Sequence, residues 1–276
     1  MTDQFFTPDD DIRIVVSDMD GTLLDGNSEL PEEVWGVLDG LSGRGIAFVP
    51  ASGRQHGSLT RLFSRDDLGF IAENGNFVVL GDEELFRAAL DRDVAREAIR
   101  AFHALQGRNA AMVACAPHMA YVERTSPTFL DEIGKYYANY QVVEDLADVE
   151  DDFAKVSVFD LDSAQEVHAH FAHLADRAEV VTSGPNWVDI QRQDVDKGRG
   201  VRVLQDHLGA GPENTVVFGD YHNDLPMFPD AKHTFATANA HPDIKDAAKW
   251  VIPSNEDAGV IQVLKSLLET VPPKTD

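Results

Sequence analysis

Short β-branched runs alternate with helically spaced apolar residues over the first part of the chain. Arg13-Ile14-Val15-Val16-Ser17 reads as a buried strand. Val34, Leu38 and Leu41 predict a helix over 31–41, with Pro31 suited to its first turn. A second apolar strand follows at 46–50, then a helix at 55–63 and a strand at 70–72. The Asn74-Gly75 pair between apolar runs predicts a hairpin joining Ile71 to residues 77–80. Strand, helix, strand, helix, strand is the rhythm of a parallel sheet covered by helices.

The rhythm changes near Gly81-Asp82-Glu83-Glu84. Val94, Ala98, Phe102 and Leu105 give residues 91–106 an apolar helical face. Strands at 111–115 and 119–123 flank a Pro117-His118 turn, and a helix covers 127–137. A strand at 155–160, a helix at 163–175 and a hairpin of 179–182 with 187–190 complete an α+β module with a largely antiparallel sheet. The acidic stretch 144–152 reads as a loop or a solvated face. Strand–helix alternation resumes at Lys197, with helices at 197–207, 224–228, 243–248 and 258–268. Strands lie between them at 215–218, 234–236 and 250–252, and the tail from 271 to 274 is expected to fray. The fold class is therefore α/β: a Rossmann-like parallel-sheet core of residues 1–82 and 190–276, interrupted by an α+β module at 83–189.

A chain of 276 residues can bury roughly three quarters of its unfolded surface, so its core needs no staples. Acidic residues outnumber basic ones 48 to 23. That excess argues against non-specific nucleic-acid binding, which relies on Lys and Arg. It does not exclude an anionic substrate, because salt screens charge beyond about 8 Å and local cations decide inside a cleft. The single cysteine, Cys115, excludes an intrachain disulfide and reads as a small buried apolar residue in a reducing compartment. Met1-Thr2-Asp3-Gln4 opens no secretory pattern, and no apolar stretch is long enough to span a membrane. The expectation is a soluble cytoplasmic protein without membrane or nucleic-acid partners.

Four short segments carry candidate chemistry, each at a predicted strand end or helix start, where open α/β sheets bind ligands. Asp18-Met19-Asp20-Gly21-Thr22 places two carboxylates at i and i+2, leaving one side of an extended chain. Two such charges need a cation or a retained proton, which suits a metal-assisted nucleophile beside a proton donor. A loop that merely carries acidic residues is the plainer reading. Ser52-Gly53-Arg54 offers a hydroxyl and a backbone N–H at a helix start, a natural anion cradle, although Ser52 could equally cap that helix. Lys197-Gly198 enters a helix directly after the inserted module. Gly219-Asp220-Tyr221-His222-Asn223-Asp224 follows the apolar run Val216-Val217-Phe218.

Together these segments resemble the haloacid dehalogenase superfamily of phosphohydrolases, from about residue 12 to 268. An α+β insertion between the third strand and the lysine looks like the type IIB cap of Cof-type sugar phosphatases. Ala72-Glu73-Asn74-Gly75 fits that group as well. The resemblance implies that Asp18 attacks phosphorus and that Asp20 protonates the leaving oxygen, then deprotonates water. It implies Mg²⁺ held by the Asp18 carboxylate, the Asp20 carbonyl and Asp220. Ser52, Gly53, Lys197 and Asn223 would grip the phosphoryl group. Thr22, Arg54 and Asp224 would stand behind them, Asp224 orienting Lys197 or a metal-bound water and Arg54 steadying its loop.

Chemistry asks for such a set. Phosphomonoester hydrolysis is accelerated by up to about 10²¹-fold, roughly 28 kcal/mol. General acid–base help contributes about 10²–10⁴ of that, so positioning and charge neutralisation supply most of the rest. The implied substrate is a small phosphorylated metabolite, with the cap as a lid that limits size and excludes water. A phosphosugar mutase, a dedicated disaccharide-phosphate phosphatase and a non-catalytic phospho-ligand binder are the alternatives. The proton donor Asp20 speaks against the last. His168, His170 and His173 read as a solvated helix surface rather than a metal site, while His56 and His222 lie beside site segments. Trp187 could face the cleft or the core of the module.

Overall fold

Ile14, Val15 and Val16 are β-branched and wholly buried, so they favour an extended chain packed on both faces. They begin β1 (Ile14–Asp18), the central strand of a computed structural model that describes residues 5–105, 107–116, 118–123, 125–137, 139–182 and 186–273, with the backbone alone at 135. The first elements after it are α1 (Val34–Ser42), β2 (Ala47–Ala51), α2 (His56–Phe63), β3 (Gly69–Ala72), β4 (Phe77–Leu80) and β5 (Glu83–Arg87). Next come α3 (Arg92–Ala104), β6 (Ala110–Cys115), β7 (Ala120–Glu123), α4 (Pro127–Tyr136), β8 (Tyr140–Val143), β9 (Lys155–Asp160), α5 (Ala164–Phe171), β10 (Glu179–Thr182) and β11 (Trp187–Gln191). The last are α6 (Lys197–Leu208), β12 (Thr215–Gly219), β13 (His233–Thr237), α7 (Pro242–Ala247), β14 (Trp250–Ile252) and α8 (Gly259–Thr270). The expected helix end at 106, the Pro117 half of a turn, residues 1–4 and position 274 of the tail lie outside the described residues.

The chain forms two compact units, Met1–Gly53 with Ser64–Phe86 and Asp196–Asp276, and Arg54–Phe63 with Arg87–Val195. In the first unit the sheet order is β14-β13-β12-β1-β2-β3-β4-β5. The pairs from β14 through β3 are parallel, and β3 and β4 pair antiparallel with Ile71 opposite Val78. From β1 the chain moves outward through β2 and β3; from β12 it moves outward the other way. Neighbouring strands β1 and β12 therefore form the switch point, and ligands of open α/β sheets bind at the carboxyl ends of such strands. Alternate strand residues Ile14, Val16, Val49, Val217 and Ala236 pack with Val201 and Leu204 of α6 and Ile244 of α7. Helix α1 lies against α8 and β2. Helix α6 starts where the Asp196 carboxylate accepts from the Arg199 N–H (2.7 Å) and stops at Gly209, φ 60°.

The second unit has a sheet ordered β10-β11-β9-β6-β7-β8, antiparallel except for the parallel pair β7 and β8. Helices α3 and α5 bury Val94, Ile99, Val167 and Phe171 against Met112, Val156, Val158 and Ile190. Residues of the alternate register, Val113, Cys115 and Phe159, meet Phe129 and Ile133 of α4. Cys115 is buried there. The acidic stretch 144–152 is loop with one short helical turn that buries Leu146.

Two strands escaped the sequence reading, β5 and β8. Both are sheet-edge strands, with charged or exposed residues at most positions, so apolar alternation is weak in each. Strand β5 extends the first sheet, and residues 83–86 group with the first unit rather than with the expected insertion. Residues 190–195 and the 54–63 segment group with the second unit. The expected helix at 224–228 is a 3₁₀ stretch over His222–Asp230, because Pro226 and Pro229 remove amide donors that an α-helix requires. The expected helix at 163–175 is α-helical to Phe171 and closes in a 3₁₀ turn.

The outer half of the first sheet depends on stacked aromatics. The Phe235 ring stacks on Phe218 (centroids 5.0 Å apart, 17°) and on Trp250 (4.9 Å, 18°) and is fully buried. Phe235→Ala is expected to cost about 3–5 kcal/mol in urea unfolding followed by tryptophan fluorescence. A loss below about 1 kcal/mol would show that the stack is not a keystone.

Candidate active site

Strand β1 ends on Asp18, which is 6% exposed, and the chain then turns at once. The N–H groups of Leu23 and Leu24 both donate to the Met19 carbonyl, at 3.0 and 2.9 Å. Gly21 takes φ 84°, and a Cβ there would lie 2.5 Å from Oδ2 of Asp220. Asp20 is exposed and already in the turn, bridged to Leu24. Its position is set by the turn rather than by the strand alternation that the i, i+2 spacing suggested.

Lys197, the first residue of α6, is wholly buried. Its Nζ donates to Oδ1 of Asp18 at 2.5 Å and to Oδ1 of Asp224 at 2.7 Å. The other Asp224 oxygen accepts from the Asp220 and Tyr221 amides at 2.9 and 3.1 Å. Thr22 donates its hydroxyl to Oδ1 of Asp220 at 3.0 Å. Ligand oxygens of Asp18, Asp220 and Asp224 all lie within 4.8 Å of one another.

One ammonium faces three carboxylates. Burial pushes the Asp18 carboxyl well above its ordinary value, and the Asp224 charge adds to that against the pull of Lys197. Burial and Asp224 also raise Asp220. Burial works against the Lys197 ammonium too, but Asp18 and Asp224 outweigh it and hold the lysine protonated. A cluster of hard oxygen donors with an excess of negative charge fits a divalent cation. Asp224 already has both oxygens engaged, which leaves Asp18 and Asp220 as the stronger candidates to hold one.

Ser52 and Gly53 follow β2, and the structure corrects the expected helix-start cradle. Helix α2 begins only at His56, and the Ser52 N–H donates to the Ile71 carbonyl at 2.8 Å, continuing the strand pairing. Ser52 in turn accepts from the Asn74 amide at 3.0 Å, and the Asn223 side chain donates to Asn74 Oδ1 at 3.2 Å. A Cβ on Gly53 would lie 3.2 Å from the Asn74 side chain. The structure thus brings Ser52, Gly53 and Asn223 together through Asn74. Arg54 opens the segment that groups with the other compact unit.

Sequence reasoning read Asn74 as a turn former and as part of a family-like segment, gave it no contact at the site, and missed the end of β13 with the loop after it. Thr237 and Asn239 donate to the Gly21 carbonyl at 3.3 and 2.7 Å, and the His241 N–H donates to the Asp220 carbonyl at 2.9 Å. The signal that could have found them is position alone: they follow a parallel strand at its carboxyl end. Of the histidines read as a solvated helix surface, His168 and His170 are half-buried with ring nitrogens 2.9 and 3.0 Å from the Val180 and Ala101 carbonyls, and His173, exposed, lies 3.0 Å from the His170 carbonyl in the 3₁₀ turn after α5. His56 faces His118 in the second unit, and Trp187 packs on Phe159 there.

The geometry invites comparison with proteins already known. The family model described as haloacid dehalogenase-like hydrolase matches residues 15–264. The 5-amino-6-(5-phospho-D-ribitylamino)uracil phosphatase YbjI of Escherichia coli is 30% identical over 267 residues, covering 94% of this chain and 97% of its own. Among solved structures, TM0651 of Thermotoga maritima aligns with a TM-score of 0.82 at 29% identity, over 96% of this chain and 98% of that one. The fold is also that of the subclass IIB sugar phosphatase BT4131 (TM-score 0.78, 21% identity, 92% of this chain and 98% of that one). With a match running from the first core strand into the last helix, the chain belongs to the haloacid dehalogenase-like hydrolases, in the phosphatase group of that family.

Proposed function

We propose that this chain hydrolyses small phosphomonoesters, sugar phosphates or similar metabolites, through a covalent aspartyl-phosphate on Asp18. The observation that carries the reading is the buried Lys197 ammonium bonded to Asp18 beside Asp220, at the sheet's switch point. In the first step an Asp18 oxygen attacks phosphorus while the bond to the leaving oxygen breaks and Asp20 gives that oxygen a proton. In the second, Asp20 takes a proton from water as it attacks phosphorus, and cleavage of the P–O bond to Asp18 releases phosphate and restores the carboxylate. Lys197 pins one Asp18 oxygen and so sets the rotation of the nucleophile, and its charge offsets that of the phosphoryl group. Ser52, Gly53 and Asn223 would contact the phosphoryl oxygens. Asp224 orients Lys197, and Thr22 orients Asp220.

Asp18, Asp220 and the Asp20 carbonyl would hold Mg²⁺, which when bound neutralises charge between the phosphate and the carboxylates. The relative YbjI is named for a phosphorylated ribityl compound and BT4131 for sugar phosphates, which supports a small polyhydroxylated substrate. A single buried cysteine is in keeping with a cytoplasmic setting.

Asp18→Asn keeps the side-chain shape and is expected to cut kcat by about 10³-fold or more without loss of fold, measured as phosphate release beside a circular-dichroism spectrum. Turnover near the wild-type rate would end the covalent mechanism. Asp20→Asn is expected to cost about 10²–10⁴-fold on a sugar phosphate but much less on p-nitrophenyl phosphate, whose leaving group needs no proton. Equal losses on both substrates would remove Asp20 as the acid. Chelator is expected to abolish phosphate release and added Mg²⁺ to restore it; full activity in chelator would exclude a metal requirement.

A further inference from the structure

Beside the proposed centre lies a second cluster with different chemistry. We propose that His222, His241 and Asp243 form a binding site for a late first-row divalent cation such as Zn²⁺. Their ligand atoms all lie within 4.8 Å of one another. Nε2 of His222 is 2.9 Å from Oδ2 of Asp243, and Nδ1 of His241 is 3.4 Å from the same oxygen. The two imidazole rings stand with centroids 4.3 Å apart.

The fold holds these groups in place. His222 follows β12, and His241 and Asp243, the cap and first turn of α7, follow β13, its parallel neighbour, so the two segments emerge side by side. The His241 N–H binds the Asp220 carbonyl and ties one loop to the other. Tyr221 packs edge-on against both imidazoles, with centroids 4.9 Å from His222 and 5.9 Å from His241.

Nδ1 of His241 accepts from the Asp243 backbone amide at 3.3 Å, which caps α7, and Nε2 of His222 shares a hydrogen bond with Asp243 Oδ2. A cation held by these groups would replace both bonds, with the same atoms as its ligands. Two imidazole nitrogens and one carboxylate suit Zn²⁺, Ni²⁺ or Cu²⁺, whereas Mg²⁺ prefers an all-oxygen shell. All three side chains are at least a third exposed, so solvent can complete the coordination. The formal charge of −25 favours cation capture anywhere on this surface. The acidic cluster of Asp18, Asp220 and Asp224 offers oxygen alone, so the two sites differ in the metals they select.

Equilibrium dialysis of the metal-stripped chain against Zn²⁺, with Mg²⁺ in large excess to fill the oxygen site, tests this. One Zn²⁺ per chain is expected. His222→Ala and Asp243→Asn, each removing an exposed ligand, should each weaken binding by about tenfold or more while keeping the wild-type melting curve in chelator. His103→Ala, in a separate His103–Glu123–Asp145 cluster, should leave Zn²⁺ binding unchanged. No Zn²⁺ uptake by the wild type, or wild-type affinity in either His222→Ala or Asp243→Asn, overturns the proposal.

Discussion

A lysine ammonium sealed from water between two carboxylates is expensive to build, and much of the first unit can be understood as the means of building it. Stripping Lys197, Asp18 and Asp224 of solvent costs several kcal/mol per ion unless geometry and hydrogen bonds offset it. Here they do: Lys197 bonds to both acids, and the far oxygen of Asp224 takes two backbone amides. Close backbone approach follows from the same demand. A Cβ on Gly198 would lie 2.1 Å from the Pro226 carbonyl, and one on Gly75, φ 98°, would lie 2.1 Å from the Asp196 carbonyl. The loops on either side of Lys197 touch main chain to main chain, which only glycine allows.

The topology explains why this arrangement sits where it does. Asp18 and Lys197 are 179 residues apart in sequence, yet β1 and β12 are neighbours because the chain winds outward from each in opposite directions. Their carboxyl ends open at one point, and the loops after β2, β3 and β13 border it through Ser52, Asn74, Thr237 and Asn239. A sheet of parallel strands thus converts a linear order of short segments into a cluster. The interrupting residues 87–195, with 54–63, form a unit with its own sheet and its own core on both faces.

The neighbouring pair β12 and β13 supports two kinds of polar cluster within a few residues. Asp224 is drawn inward by Lys197 and Asp220 is held by Thr22, while His222, on the same loop, lies at the surface against Asp243. The 3₁₀ course of residues 222–230 separates them. With three residues per turn, positions 222 and 224 leave the helix on different sides. Prolines 226 and 229, which replace the expected α-helix with a 3₁₀ stretch, set that course.

What the amino-acid sequence determined by itself was local. β-branched runs made β1 and β12 strands, Asn74-Gly75 made a hairpin, and the segments holding Asp18, Ser52, Lys197 and Asp220 stood at strand ends or at a helix start. These are properties of a few adjacent residues, so they could be read without a partner. Edge strands β5 and β8 could not, because their pairing is supplied by the neighbouring strand and not by their own exposed side chains. Nor could Asp224's grip on Lys197 be told from a bond to a metal-bound water, or Asn74 from a simple turn former. The approach of His222 to Asp243 across 21 residues belongs to the same class. Each of those depends on which backbone lies opposite which, and only the closed sheet, with its strands in register, decides that.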